Sequence, residues 1–328
     1  AYDAINTLYH LDKFRIFDLG FNRSIGAFFQ TNYTFFAGLV GGALLSMASH
    51  GADHIIGQRL LCCRSLRDAQ KALIASGFIV LLQFTLFLFI GSLLFIHFNN
   101  ADLMPDTIYP KFIIESLPPG ISGFIIAGIF AAAMSTLSSS VNSLASSSHF
   151  DFLRHISPEM TSSRVLSLFW ATILAGTAMQ FRNPQHPVVE LGLAIASYTY
   201  GGLVGIFIFS IKEKRLNENL ALISMWSALL FMLWIIGPVE RLLYPLLFLL
   251  VMVGILFVKK LDGIVGIFAI FWMVMVTLAV HFVPSPRIAW PWYVPTGALI
   301  TIVVGQSLRF LTNRLGEGLS GHRKKINP

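Results

Sequence analysis

Charged residues are scarce in this chain of 328 residues: Asp, Glu, Lys and Arg make up 12% of it, whereas hydrophobic residues make up 55%. The mean hydropathy of +0.72 is too high for a water-soluble domain of this length. Cysteine is nearly absent, and the two cysteines, Cys62 and Cys63, are adjacent, which is unfavourable geometry for pairing with each other. The composition therefore excludes a soluble enzyme core and a disulfide-stapled scaffold.

The formal net charge of +7 does not indicate a nucleic-acid-binding protein. The basic residues are scattered between apolar runs and form no continuous basic face, so no nucleic-acid partner is expected. The chain opens at Ala1-Tyr2-Asp3, without an initiator Met or a signal peptide. We therefore expect it to be the C-terminal portion of a longer protein.

Long apolar runs fill most of the chain, and many reach the roughly 20 residues that a helix needs to cross a bilayer. Apolar length, together with Gly, Pro and charge punctuation, predicts nine membrane spans. They lie at 32–52, 72–96, 120–146, 164–181, 187–211, 219–237, 242–258, 262–283 and 290–311. The lipid bilayer is thus the expected surrounding of an all-α, multi-pass protein.

The loops between these spans alternate in basic charge. Arginines and lysines are concentrated in one set of loops, at 59–71, 154–164, 212–215, 259–260 and 314–325. The other set carries only four basic residues, at Lys111, Arg182, Arg241 and Arg287. Because cytoplasmic loops are enriched in Lys and Arg, the first set and the C-terminus are predicted to be cytoplasmic. The loop at 97–119 is then external, and its apolar Phe112-Ile113-Ile114 predicts a short gating helix.

Hydroxyl groups crowd one half of the predicted span at 120–146. Ser135 and Thr136 follow Ala132 by three and four positions, so both hydroxyls can lie near the Ala132 carbonyl on one helical face. Three neutral oxygens supply about half of the coordination shell that a hard cation requires. The residues alone leave a second interpretation open, because small and hydroxyl residues also let membrane helices pack closely.

Three motifs in this order resemble the sodium:solute symporter family, whose members carry sugars, amino acids, vitamins and small carboxylates. The motifs are Asp53-His54-Ile55-Ile56-Gly57-Gln58-Arg59-Leu60-Leu61-Cys62-Cys63-Arg64-Ser65 followed by Ala69-Gln70-Lys71, then Ala132-Ala133-Met134-Ser135-Thr136-Leu137-Ser138, and then 191–202. In that family a backbone carbonyl and two hydroxyls on one helix hold sodium, which implies Ala132, Ser135 and Thr136 as sodium ligands here. Some members hold a second sodium one turn further along, and Ser138 and Ser139 occupy the matching positions.

The resemblance also implies a fold, the LeuT-like inverted repeat of five helices plus five. We expect residues 1–31 to form an external loop and 32–211 to form the second five-helix repeat. Residues 212–258 would then add two extra transmembrane helices, 259–311 two C-terminal ones, and 312–328 a basic cytoplasmic tail. The first repeat, which would donate the remaining sodium ligands, is expected as a partner segment of the same protein.

Solute contacts are expected on two helices of this repeat. The span at 32–52 corresponds to the first, broken helix of the repeat. Its flexible Gly41-Gly42 and its polar Ser46, Ser49 and His50 are residues that a broken helix would expose to a solute. Tyr198 and Thr199 interrupt the later span at 187–211. The sugar-carrying relatives place an Asn and a Tyr where Ser46 and Ser49 stand, so the polar set for a hexose is absent.

The function predicted from the sequence is sodium-coupled symport of a small organic solute (a sugar, an amino acid or a monocarboxylate) by alternating access. The expected location is the plasma membrane, such as a bacterial inner membrane. Sodium is the expected coupling ion, and neither an organic cofactor nor an enzymatic reaction is expected. Two alternatives stay open: a transporter-like solute sensor, and a proton-coupled symporter with His50 as the proton carrier.

Overall fold

A computed structural model describes residues 2–10, 17–98, 103–153, 161–179, 187–212, 218–236 and 288–326, and these residues contain helices and no strands. The α-helices are α1 (Tyr2–His10), α2 (Ile25–Gln30), α3 (Ala43–Gly51), α4 (His54–Leu61), α5 (Leu66–His97), α6 (Pro105–Glu115), α7 (Pro119–Ser147), α8 (Thr161–Ala178), α9 (Val188–Lys212), α10 (Glu218–Ile236) and α11 (Tyr293–Ile326). Two π-helical segments, Ala37–Gly42 and Ser148–Leu153, and a 3₁₀ turn, Trp290–Trp292, adjoin them. The all-α prediction is confirmed.

Three of the described helical stretches are long and apolar enough to cross a membrane, namely Leu66–His97, Pro119–Phe150 and Val188–Ile211. Two shorter apolar stretches lie at Arg164–Ala178 and Leu220–Met232. The helices follow the predicted spans up to residue 237 closely. The predicted spans at 242–258 and 262–283 lie outside the described residues.

Local capping residues set several helix starts. The Ser65 hydroxyl accepts a hydrogen bond from the Asp68 backbone N–H at 3.2 Å, and it donates to the Asp68 carboxylate at 2.9 Å. At α4, the Asp53 carboxylate accepts from the Ile55 N–H at 2.8 Å. Proline stands at the first turn of α6 and of α7, where its missing N–H costs nothing. These caps explain why the apolar runs begin as helices where they do.

The chain divides into two compact units. The first unit comprises Ala1–Ile16 and Asp53–Leu191, and the second comprises Phe17–Ala52 and Gly192–Pro328. In the first unit α7 packs against α8 and against α6. In the second unit α10 packs along α11, and Ala48, Val204, Val294 and Ala298 form a core shared by α3, α9 and α11.

Helix α6 is the short helix predicted in the external loop, and both of its ends are tied to other elements of the first unit. Its Ile113 is almost fully buried. The Asp106 carboxylate accepts from the Val188 N–H at 3.0 Å, at the start of α9. After its other end, the Ser116 hydroxyl lies 3.2 Å from Nε2 of His97, the last residue of α5. The gating role of α6 stays a prediction.

Replacing Asp106 by alanine should expose the start of α9. Its carboxylate satisfies one of the free N–H groups at a helix N-terminus and opposes the positive end of the helix dipole. We expect severalfold faster amide hydrogen exchange over residues 188–191 in D106A, with little change in D106N, which keeps an acceptor oxygen. Equal exchange in wild type and D106A would show that the bond does not hold this end of α9.

The span predicted at 32–52 is not one regular α-helix. Ala37–Gly42 is π-helical and continues into α3, and the helix is interrupted at Ala52-Asp53 before α4. Gly41 lies so close to the backbone of Pro291 that a Cβ atom at this position would clash with the Pro291 carbonyl oxygen. At the other end of the chain, α11 continues helically to Ile326, through most of the predicted tail.

Candidate functional site

The hydroxyl-rich face of α7 brings two of the predicted sodium ligands into contact. The Thr136 hydroxyl donates to the Ala132 carbonyl oxygen at 3.1 Å, so both oxygens lie on one turn of the helix. A hydroxyl that donates its proton to a carbonyl keeps its lone pairs for a cation, and the carbonyl keeps its second lone pair. The pair can therefore serve as two adjacent ligands for one ion.

Ser135, the third predicted ligand, stands next to Thr136 and is exposed like it. Its backbone carbonyl accepts from the Ser139 hydroxyl at 3.0 Å. Within the described part of the chain, the hydroxyls of Ser135 and Ser138 have no hydrogen-bond partner, so both are available to a ligand. The second predicted pair thus divides: Ser139 is bonded to its own helix, and Ser138 is not.

The electrostatic character of this face is neutral. Helix α7 contains no acidic and no basic residue from Pro119 to Ser147. No group of three or more His, Cys, Asp or Glu side chains that could hold a metal occurs among the described residues. A carbonyl and two hydroxyls without a carboxylate suit a monovalent hard cation better than a divalent or a transition-metal ion.

The oxygens on α7 fill only part of a cation's coordination shell, and no described element covers this face of the helix. In the most apolar 18-residue window of Pro119–Phe150, 0% of the residues are buried inside the structure. An ideal Cβ built on Gly120, Gly123 or Gly128 would meet nothing within 4 Å. The face therefore has room for a further helix and for the ligands that such a helix would add.

The predicted solute contacts of α3 form one small hydrogen-bonded cluster. Nδ1 of His50 lies 3.0 Å from the Ser46 carbonyl oxygen and 2.8 Å from the Ser49 hydroxyl, which itself donates to the Ser46 carbonyl at 3.2 Å. Because a carbonyl only accepts, a bond from His50 to Ser46 places the proton on Nδ1. In that tautomer Nε2 carries no proton and can accept a hydrogen bond.

Tyr198 and Thr199 lie on α9, in the same unit as α3. The Thr199 hydroxyl is exposed and donates to the Ala196 carbonyl at 3.2 Å, and Tyr198 is partly buried. The predicted sodium ligands belong to the first unit and the predicted solute contacts to the second. Hydrogen bonds join Ser46, Ser49 and His50 to one another on α3, whereas Thr199 is bonded within α9.

Ser197, a polar residue of α9, was not among the site residues predicted from the sequence. Ser197 is fully buried, and its hydroxyl has no hydrogen-bond partner among the described residues. In the sequence it stands one turn before Gly201 and two turns before Gly205, a spacing typical of close helix packing. The spacing of these small residues could have predicted that Ser197 is buried. It could not have predicted that its hydroxyl is unpaired.

Comparison with known proteins identifies the same family that the sequence motifs resemble. The model of the sodium:solute symporter family matches residues 24–228. A sodium/sialic acid symporter of Aliivibrio fischeri is 27% identical over 210 residues, covering 60% of this chain and 42% of that protein. The sodium-coupled monocarboxylate transporter 2 of Bos taurus is 25% identical over 228 residues, covering 65% of this chain and 36% of that protein. This chain therefore spans about two fifths of the length of these relatives.

A solved structure shares the fold. It shows a Na⁺-coupled sialic acid symporter in a substrate-bound outward-open state, with a TM-score of 0.61 and 21% sequence identity. The match covers 93% of this chain and 54% of that one, which confirms the LeuT-like architecture. Because the family model covers more than half of the residues, the chain belongs to the sodium:solute symporter family, whose members are multi-pass membrane transporters rather than enzymes.

Proposed function

We propose that the protein carrying this chain is a sodium-coupled symporter of a small organic solute. The observation that carries the proposal is the neutral oxygen set on α7, where the Thr136 hydroxyl lies 3.1 Å from the Ala132 carbonyl oxygen beside the exposed hydroxyl of Ser135. Sodium is the ion whose preference for uncharged oxygens fits this set. The remaining ligands come from the first repeat of the fold, which covers the open face of α7.

Ser138 and Ser139 are the proposed ligands of a second sodium ion, one turn further along α7. Solute binds in the second unit, at Ser46, Ser49 and His50 of α3 and at Tyr198 and Thr199 of α9. Support comes from the packing of both helices into one core around Ala48 and Val204. A sugar, an amino acid or a monocarboxylate can use such hydroxyl and imidazole groups as hydrogen-bond partners.

Coupling follows from linked binding. If sodium and solute both bind more tightly to the outward-open state than to the others, each raises the affinity for the other by the same factor. Sodium moving down its gradient then drives the solute inward while the two repeats alternate around the midplane. The protein catalyses no covalent step and needs no organic cofactor.

We place it in the plasma membrane with its C-terminus in the cytoplasm.

Solute flux in liposomes tests this function. The complete protein is reconstituted and given sugars, amino acids and monocarboxylates under an imposed sodium gradient. We expect uptake of one solute class only when sodium is outside, and none when potassium replaces sodium. Uptake driven by a pH gradient without sodium would replace this proposal with proton coupling through His50. Saturable solute binding without any flux would replace it with a solute sensor.

A further inference from the structure

The first turns of α5 carry two basic side chains on one face of the helix. Arg67 and Lys71 are four residues apart, so they are neighbours on that face, and both are exposed. Neither side chain has a hydrogen-bond or ion-pair partner within the part of the chain that the structure describes. Both are therefore available to an anion.

The surroundings of these two side chains are strongly basic. Two further exposed arginines precede α5, namely Arg59 in the last turn of α4 and Arg64 in the turn that joins α4 to α5. Asp68 is the one acidic residue between positions 54 and 101. The Ser65 hydroxyl donates to its carboxylate at 2.9 Å, so this acid serves the cap of α5. The start of a long helix adds partial positive charge to the four basic side chains.

Beyond Lys71 the same face of α5 becomes apolar and stays exposed. Ile74, Phe78 and Leu81 continue the spacing of three and four residues that begins at Arg67, and they are 64%, 70% and 65% exposed. We call these three residues the α5 stripe. From Lys71 to Leu81 the helix rises by about 15 Å, which is the hydrocarbon thickness of one leaflet. The face thus offers cations at one end and an apolar strip as long as an acyl chain.

An anionic phospholipid matches both parts of this face, whereas other occupants match one part only. A soluble phosphate would use the cations and leave the α5 stripe uncovered. A protein helix would cover the stripe, but it would also take Arg67 and Lys71 out of water, which is costly unless it brings carboxylates opposite them. A phosphodiester accepts paired hydrogen bonds from the guanidinium and neutralises the ammonium.

We propose that Arg67 and Lys71 bind the headgroup phosphate of an anionic phospholipid whose acyl chain lies along the α5 stripe. The lipid belongs to the leaflet at the start of α5, which the charge pattern predicts to be the cytoplasmic one. Attraction between basic side chains and anionic headgroups at this depth adds to the burial of the apolar stripe. The site lies within the first unit and requires neither sodium nor solute, so it stands apart from the proposed transport function.

Lipid binding to the complete purified protein is measured by native mass spectrometry. The protein in detergent is titrated with phosphatidylglycerol and, separately, with phosphatidylcholine, whose headgroup has no net charge. We expect wild type to prefer phosphatidylglycerol by about twentyfold, and R67Q and K71Q each to weaken its binding by about fivefold, the effect of one basic side chain near an anionic surface. The double variant R67Q/K71Q should lose the preference.

K111Q/R164Q is the matched control for that double variant. It removes the same two positive charges from the same unit, on α6 and α8, and it leaves α5 unchanged. It should bind phosphatidylglycerol as wild type does. Equal phosphatidylglycerol binding by wild type and R67Q/K71Q, or equal losses in the two double variants, would overturn the proposal.

The unmodified protein provides a second measurement, in case the variants fold poorly. Its unfolding temperature in phosphatidylcholine nanodiscs should rise when phosphatidylglycerol is included, and glycerol 1-phosphate, the soluble part of that headgroup, should not reproduce the rise. No difference between the two nanodiscs would mean that water or the first repeat covers this face of α5, and the proposal would fail. It would also fail if glycerol 1-phosphate alone gave the full rise, because the α5 stripe would then contribute nothing.

Discussion

Replacing Thr136 by valine should raise the sodium concentration needed for half-maximal uptake by about tenfold to a hundredfold. Valine keeps the shape of threonine but removes the hydroxyl that lies 3.1 Å from the Ala132 carbonyl oxygen. A hydrogen-bonding or coordinating group is worth about 1.5–3 kcal/mol when its partner is charged, and each 1.4 kcal/mol changes affinity tenfold. The measurement is initial uptake by liposomes containing the complete protein, as a function of external sodium.

Thr172→Val is the matched control. Thr172 is an exposed threonine of α8, and its hydroxyl donates to the Leu168 carbonyl at 2.9 Å, the same i to i−4 bond that Thr136 makes. The substitution removes the same atoms from the same local geometry, away from the proposed ion site. T172V should need no more sodium than wild type. An equal rise in both variants would mean that valine acts through the helix and not through an ion.

Ser135→Ala makes the complementary change. Its hydroxyl is not bonded to α7 in the described structure, so its removal leaves the helix intact while deleting one proposed ligand. The sodium requirement should rise as in T136V, and solute affinity measured at saturating sodium should stay close to wild type. If S135A and T136V both transport with wild-type sodium dependence, the ion site does not lie on this face of α7.

The sequence predicted α7 and the proximity of Thr136 to the Ala132 carbonyl because two independent signals coincide there. An apolar run preceded by Pro118-Pro119 fixes the helix to within a residue or two of Pro119–Ser147. Within a known helix, spacings of three and four residues determine which oxygens share a face. The contact between Ala132 and Thr136 is therefore a local consequence of helix geometry, and no tertiary information was needed to predict it.

The packing of the π-helical segment and the burial of Ser197 required information that no local pattern contains. At Gly41 the backbone is π-helical and packs against the carbonyl of Pro291, a residue far away in the sequence. Likewise, Ser197 is fully buried on α9, the helix whose Gly201 and Gly205 lie against α11. Tertiary contacts of this kind decide whether a glycine breaks a helix or admits a neighbouring backbone.

Replacing Gly205 by valine should destabilise the protein by about 1–3 kcal/mol, the usual cost of overpacking a close contact. A Cβ at this position would lie 2.5 Å from the Thr301 Cβ and 2.9 Å from the Ala298 carbonyl oxygen. Neither neighbour can move easily, because one is backbone and the Thr301 hydroxyl is bonded to the Gly297 carbonyl at 2.8 Å. The measurement is the unfolding temperature of the purified protein in detergent, which should fall by several degrees in G205V.

Gly192→Val provides the control for this effect, since it makes the same change on the same helix. A Cβ on Gly192 would meet none of the described atoms within 4 Å, so no overpacking applies there, and valine is no worse a helix former than glycine. Because Gly205 belongs to the second unit and the proposed sodium ligands belong to the first, folded G205V should retain the sodium requirement of wild type. Loss of stability with unchanged sodium dependence would separate the packing of α9 against α11 from the proposed ion-binding role of α7. Equal stability of G205V and G192V would instead mean that the two helices do not pack through Gly205.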